Sequence, residues 1–226
     1  MIFEILFAAV GLLWTLTYLL IIRQGFRDRT CGMPTAALCA NISWEILYSL
    51  VWPQSAAQTA VNLTWLACDL VLIAQLFRFA PDEHPDIPRP LLYGGFLLGL
   101  ATAFPVVFLI CRDLNGGRGG YAAFGMNLMM SILFVARLRR RSLRGQSLAI
   151  AVTKAAGSAL AAVTAWQAGR IPPGTALLPV LFAATLAWDL AYIALVWRIR
   201  TMKSAAAAVR GEASSDRQAI TIRRTM

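Results

Sequence analysis

Residues 177–197 read LLPVLFAATLAWDLAYIALVW, an apolar run with one charged side chain, Asp189, past its middle. About 20 such residues, at ~1.5 Å of helical rise each, cross the hydrocarbon core of a bilayer. Working outward, six further runs of this kind precede it, at 2–22, 34–52, 57–77, 91–111, 121–138 and 147–168. The sequence therefore predicts an all-α protein, a seven-helix transmembrane bundle with short loops. Composition agrees: 58% of residues are hydrophobic, 14% are charged and the mean hydropathy is +0.63, whereas a soluble domain carries about 25% charged residues. A membrane domain over 1–203 and a partly disordered basic tail over 204–226 account for the chain.

The punctuation matches the spans. Pro34 opens the second and Pro53 closes it, and four prolines between 81 and 90 prevent continuous helix there. Span one begins at Met1 with no basic leader and no small-residue cleavage site, so it reads as a retained helix rather than a signal peptide. The glycine-rich stretch 115–120 lacks the Lys-Ser/Thr ending of a phosphate loop and reads as a turn. No internal repeat is visible.

The net charge of +10 suggests nucleic-acid binding until the charges are located. Arg23, Arg27 and Arg29, then Arg78 and Arg89, then the arginines of 137–144, and finally those of the tail all fall on alternate loops. These segments hold 17 basic residues, against Arg112, Arg118 and Arg170 on the opposite side. Such asymmetry is the positive-inside pattern. It predicts an outer N-terminus and a cytoplasmic C-terminus, with the lipid bilayer as the partner and no nucleic acid. Cys31, Cys39, Cys68 and Cys111 show no paired spacing, and His84 is the one histidine, in a proline-flanked loop. Neither zinc nor haem has ligands to draw on, so no metal and no cofactor are expected.

Acids inside spans are costly, about 2.5–3.5 kcal/mol at the bilayer centre, and cluster at functional sites. Three occur here. Asn41, Glu45 and Tyr48 share a helical face in span two; Asn62, Trp65 and Asp69 share one in span three; Thr185, Asp189 and Tyr192 share one in span seven, with Trp188 beside them. Asn127 and Ser131 stand four apart in span five. Asn, Ser and Thr also serve as interhelical glue, and Trp and Tyr as packing or interfacial anchors. Glu45 and Asp189 are too deep and too short to reach water. Lys154 lies near the end of its span and is expected to snorkel outward, leaving these acids without a countercharge, so that at least one holds its proton. A protonated acid in an apolar, aromatic pocket can protonate an apolar substrate, and indole and phenol faces can stabilise the resulting cation. A second carboxylate can orient the first, share its proton or accept the final one. These are the requirements of acid-initiated polyene cyclisation.

The segment Asn41-Ile42-Ser43-Trp44-Glu45-Ile46-Leu47-Tyr48 resembles the Asn-x-x-Trp-Glu-x-x-Tyr of span two in the small integral-membrane terpene cyclases of fungal meroterpenoid and bacterial indole-terpenoid pathways. Trp188-Asp189-Leu190-Ala191-Tyr192 resembles their Trp-Asp-x-x-Tyr in the last span, and Arg144-Gly145-Gln146-Ser147 with Lys154-Ala155-Ala156-Gly157 is also similar. The resemblance implies a membrane-bound, metal-free terpene cyclase, an acid-initiated isomerase or lyase. Its substrate would be a prenylated, usually farnesylated, acceptor protonated at a terminal alkene or epoxide. Glu45 and Asp189 would be the catalytic pair, with Glu45 the general acid and Asp189 a base, relay or electrostatic stabiliser. Trp44, Tyr48, Trp65, Trp188 and Tyr192 would wall the cation, Asn41 would hydrogen-bond Glu45, and Asp69 would join the network. The chain has neither an Asp-Asp-x-x-Asp cluster nor an Asp-x-Asp-Asp run, in keeping with a metal-free route. Its Ala, Arg and Gly usage leans towards a bacterial cell membrane, and so towards a farnesylated indole or cyclodipeptide closing to a drimane-like bicycle. The rival reading is a small proton-coupled transporter using the same acids. A retinal photoreceptor is excluded by the lack of a lysine in 177–197.

Overall fold

The computed structural model describes residues 2–115, 119–169, 171 and 175–225; Gly116, Gly117 and Arg118 of the glycine-rich turn, and Arg170, lie outside them. Seven α-helices follow in order: α1 (Ile2–Asp28), α2 (Thr35–Ile46), α3 (Ala56–Glu83), α4 (Arg89–Asn115), α5 (Gly120–Arg141), α6 (Leu148–Gln167) and α7 (Leu177–Thr225). A π-helical turn, Leu47–Val51, continues α2. The described residues contain no strand. Six helices are long and apolar enough to cross a membrane, and the combined Thr35–Val51 element is a shorter seventh. The all-α, seven-helix architecture read from the sequence is the one observed.

The peripheral helices form a ring in which α1 packs on α6, α6 on α7, α7 on α5, α5 on α4, and α3 on α1. Helix α2 packs against α3, α4 and α5. Its sequence explains this place: Ala36, Ala37, Cys39, Ala40 and Ser43 are small, so neighbouring backbones can approach. Most of α2 is buried, Glu45 included. The ring helices turn Leu12, Leu19, Leu98, Leu190 and Trp197 outward, as lipid-solvated surfaces do.

Local chemistry sets the helix ends. Trp52 N–H bonds the Leu47 carbonyl at 2.6 Å, the wider i to i+5 closure of a π turn. Pro53 then forces the chain out of helix. Asn62 of α3 donates to the Tyr48 carbonyl at 3.3 Å, tying α3 to that turn. Helix α3 includes Pro81 in its last turn. Proline has no N–H to offer the Phe77 carbonyl, and the Tyr93 hydroxyl donates to it instead at 3.1 Å.

The three basic loops meet at one end of the bundle. Arg141 Nη1 lies 2.7 Å from Glu83, Arg144 donates to the backbone carbonyls of Asp28 and Arg29, and Gly145 N–H donates to the Asp28 carboxylate at 2.7 Å. Gly145 takes φ +74°, and a Cβ there would lie 2.8 Å from Thr30. This clasp needs glycine on both counts.

Candidate active site

A cavity of about 220 Å³ opens at the other end, beside Gln54 and Gly119, and is lined by α1, α2, α3, α5, α6 and α7. Its walls run inward from that mouth, from Phe3 to Tyr18 on α1, Gln58 to Trp65 on α3 and Gly120 to Met130 on α5. At ~1.5 Å of rise per residue the α1 wall is about 20 Å deep. The innermost layer holds Tyr18, Asn41, Glu45, Trp65 and Asn127. Trp14 and Trp44 stand above it, with Phe7 and Phe124 nearer the mouth. The cavity is thus apolar and aromatic, with one carboxylate at its closed end.

Glu45 is 3% exposed, and its Oε2 has no hydrogen-bond partner among the described residues. The expected bond from Asn41 to Glu45 is not made. Asn41 Nδ2 instead donates to Asp69 Oδ2 at 2.9 Å and to the Tyr18 hydroxyl. The fully buried Asp69 carboxylate needs a donor, and α3 brings its Oδ2 within hydrogen-bond distance of that amide. Trp65 Nε1 donates to Thr15 at 3.0 Å and Trp44 Nε1 to the Gly119 carbonyl at 3.3 Å. Both rings are therefore held by their polar edges with their bodies on the cavity.

Lys154 does not snorkel. It is fully buried, and its Nζ lies 2.7 Å from Asp189 Oδ1 with both side chains inaccessible. The same ammonium donates to Ser131 at 2.6 Å and to Asn127 Oδ1 at 3.1 Å, and it sits 5.8 Å from the Trp14 ring centroid. Asn127 Nδ2 in turn donates to Ser158 at 2.9 Å. The reason is the acid across the interface: α6 and α7 pack together, so an inward lysine finds a carboxylate and two polar oxygens that lipid would not supply. Asp189 therefore has a countercharge. It stands behind the cavity wall, joined to it through Lys154 and Asn127.

Of the other expected wall residues, Tyr48 is buried behind Trp44, ring centroids 4.4 Å apart. Tyr192 packs on Phe134 at 5.5 Å in the core below. Trp188 is 38% exposed and faces away from the cavity, contrary to its expected place in the wall. Consecutive helical residues point about 100° apart, so on a peripheral helix an inward Asp189 turns Trp188 outward. Trp44 escapes this because α2 has neighbours on several sides. The sequence reading missed Trp14 and Tyr18, an i, i+4 aromatic pair on α1, and Lys154; the aromatic spacing was a usable signal, the lysine's direction was not.

Comparison with known proteins bears directly on this architecture. The family model of the Pyr4-like transmembrane terpene cyclases matches residues 1–202. The chain belongs to that family. The Pyr4-family terpene cyclase mfmH of Annulohypoxylon moriforme is 32% identical over 193 residues, 80% of each chain. Terpene cyclase pyr4 of Aspergillus fumigatus is 30% identical over 205 residues, 85% of this chain and 84% of its own. Terpene cyclase atmB of Aspergillus flavus is 28% identical over 170 residues, 72% of this chain and 69% of its own. No solved structure matches. The protein is thus a transmembrane terpene cyclase, and the transporter reading is not favoured. These relatives are fungal, and the bacterial leaning of the composition draws no support from them.

The cyclase's remaining motif residues have structural reasons. Gly145 forms the clasp described above, and Ser147 caps α6 by accepting from Ile150 N–H at 3.3 Å. Gly157 lets the Trp14 ring pack close, since a Cβ there would lie 3.1 Å from it.

Proposed function

We propose that this cyclase converts a farnesylated acceptor, such as a prenylated indole or cyclodipeptide, into a drimane-like ring system by protonating the terminal alkene or epoxide of the chain. The observation that supports it is the position of Glu45: a buried carboxyl at the closed end of an aromatic cavity, with no cationic partner among the described residues. An apolar site favours the neutral acid, so Glu45 enters the cycle with its proton. The prenyl terminus enters first, and the polar acceptor stays at the mouth with Gln54 and Gln58.

Proton transfer from Glu45 to the terminal group starts ring closure. Positive charge then moves along the folded chain past Trp14, Tyr18, Trp44 and Trp65, whose faces stabilise it by about 2 kcal/mol when desolvated. Loss of one proton, from the last cation itself or from an internal O–H or N–H group that captures it, ends the sequence and balances the proton given by Glu45, so that product and substrate have equal mass. Asn41 holds Asp69 and Tyr18 against this layer. Asp189 is a positioning residue: it fixes Lys154, and Lys154 fixes the Asn127 amide in the wall. No metal is required. The basic end faces the cytoplasm, by the positive-inside rule.

The test is incubation of membranes bearing the cyclase with a farnesylated indole and with its terminal epoxide. The expected product is an isomer of unchanged mass and altered retention, absent with Glu45→Gln. Isomer formation undiminished by Glu45→Gln would overturn the acid assignment, and no isomer from either substrate would overturn the substrate class.

A further inference from the structure

A second cavity, of about 310 Å³, opens at the basic end between α2, α3, α4 and α5. It shares no lining residue with the cyclisation cavity. Its rim carries Arg137, Arg140 and Arg141 with Glu83 and His84, and its floor is apolar, formed by Leu76, Phe96 and Leu133. Leu133 lies eight residues inward from Arg141, about 12 Å at ~1.5 Å per residue.

The rim is unevenly neutralised. Arg141 is committed, with Nη1 on Glu83 at 2.7 Å and Nη2 against His84 at 2.9 Å. Glu83 also faces Arg144 at 3.8 Å, so its charge is taken up. Arg137 donates through Nη2 to Thr30 at 2.7 Å, while its buried Nε has no partner among the described residues. Arg140 is exposed, and among the described residues neither it nor Arg137 makes an ion pair, Glu83 reaching Arg137 only through the longer-range field it shares with Arg141 and Arg144. Two guanidinium groups outside any ion pair, above an apolar floor at the basic end of the bundle, complement an anionic headgroup that carries a hydrocarbon chain. Guanidinium forks fit phosphate oxygens, and the floor fits hydrocarbon.

We infer that this cavity is a binding site for an anionic phospholipid, its phosphate on Arg137 and Arg140 and the first segment of an acyl chain on Leu76, Phe96 and Leu133. A zwitterionic headgroup fits less well, because its own ammonium competes with the arginines. Bound lipid would join α3, α4 and α5 at the end remote from the chemistry and stabilise the bundle by mass action.

The experiment uses the full chain in a neutral detergent, mixed with phosphatidylglycerol or phosphatidylcholine and read by native mass spectrometry; it needs no turnover, so its result is independent of the cyclisation reading. The expected result is retention of phosphatidylglycerol over phosphatidylcholine by about ten-fold, the scale of a charge-assisted contact. Arg140→Gln should remove most of that preference, whereas Arg139→Gln, with the same charge loss one position away, should keep it. Among the described residues Arg140 makes no side-chain hydrogen bond or ion pair, so its variant folds. Equal retention of both lipids, or equal losses from Arg139→Gln and Arg140→Gln, would overturn the site. Inorganic phosphate displacing the lipid at equal concentration would also overturn it, since the apolar floor would then contribute nothing.

Discussion

Lys154 Nζ and Asp189 Oδ1 lie 2.7 Å apart across the interface of α6 and α7, and neither side chain is reached by solvent. A buried pair of this kind contributes little net stability, but breaking it strands a charge, at about 3–5 kcal/mol. Asp189→Leu and Lys154→Met should each lower thermal stability in detergent by that order. The double variant should return close to the parent. Because Asn127 loses its donor wherever Lys154 is replaced, turnover should stay depressed in the double variant even where stability is restored. A double variant with full turnover would show that the pair serves the fold alone.

Glu45→Gln keeps volume and polarity and removes the transferable proton. Turnover should fall by about 10²–10⁴-fold, the range of a lost general acid, with the unfolding transition within a degree or two of the parent. Glu45→Asp, which retains the acid on a shorter arm, should recover part of the rate.

Trp65 and Trp188 separate the wall from its surroundings. Trp65→Leu removes a ring from the cavity, and ~2 kcal/mol of cation stabilisation corresponds to about 30-fold in kcat with KM little changed, because the ground-state chain is uncharged. Trp188→Leu should leave kcat unaltered, since that ring faces outward. Comparable losses in the two variants would contradict the geometry.

Gly119 has φ +71°, and a Cβ at that position would lie 2.5 Å from the Tyr48 ring. Gly119→Ala adds left-handed strain of about 1–2 kcal/mol to an overpacking cost of about 1–3 kcal/mol. It should lower stability and, through the Trp44 to Gly119 hydrogen bond, disorder the cavity mouth. Near-ultraviolet circular dichroism would register the displaced indole.

How much of the site was legible follows from which side chains report on themselves. A carboxylate in an apolar run is conspicuous wherever it points, so Glu45, Asp69 and Asp189 stood out. Trp65 and Asn41 fell on the right faces because helical periodicity carries them. Lys154 did not, because a lysine near a span end has two destinations, and only a partner decides between them. The same holds for Asn41, whose amide had two acids within reach and took Asp69.

By itself the sequence determined the class of solvent, the number of helices and the presence of acid and aromatic groups at membrane depth, because hydrophobic run length and helical period are local properties. Only the tertiary structure decided which helix has neighbours on several sides, which carboxylate faces the cavity and which is neutralised behind its wall. Those outcomes depend on contacts between residues far apart in the chain, such as Asn41 with Asp69 and Lys154 with Asp189. A buried polar group takes the partner that packing brings within about 3 Å, and no local pattern encodes that distance.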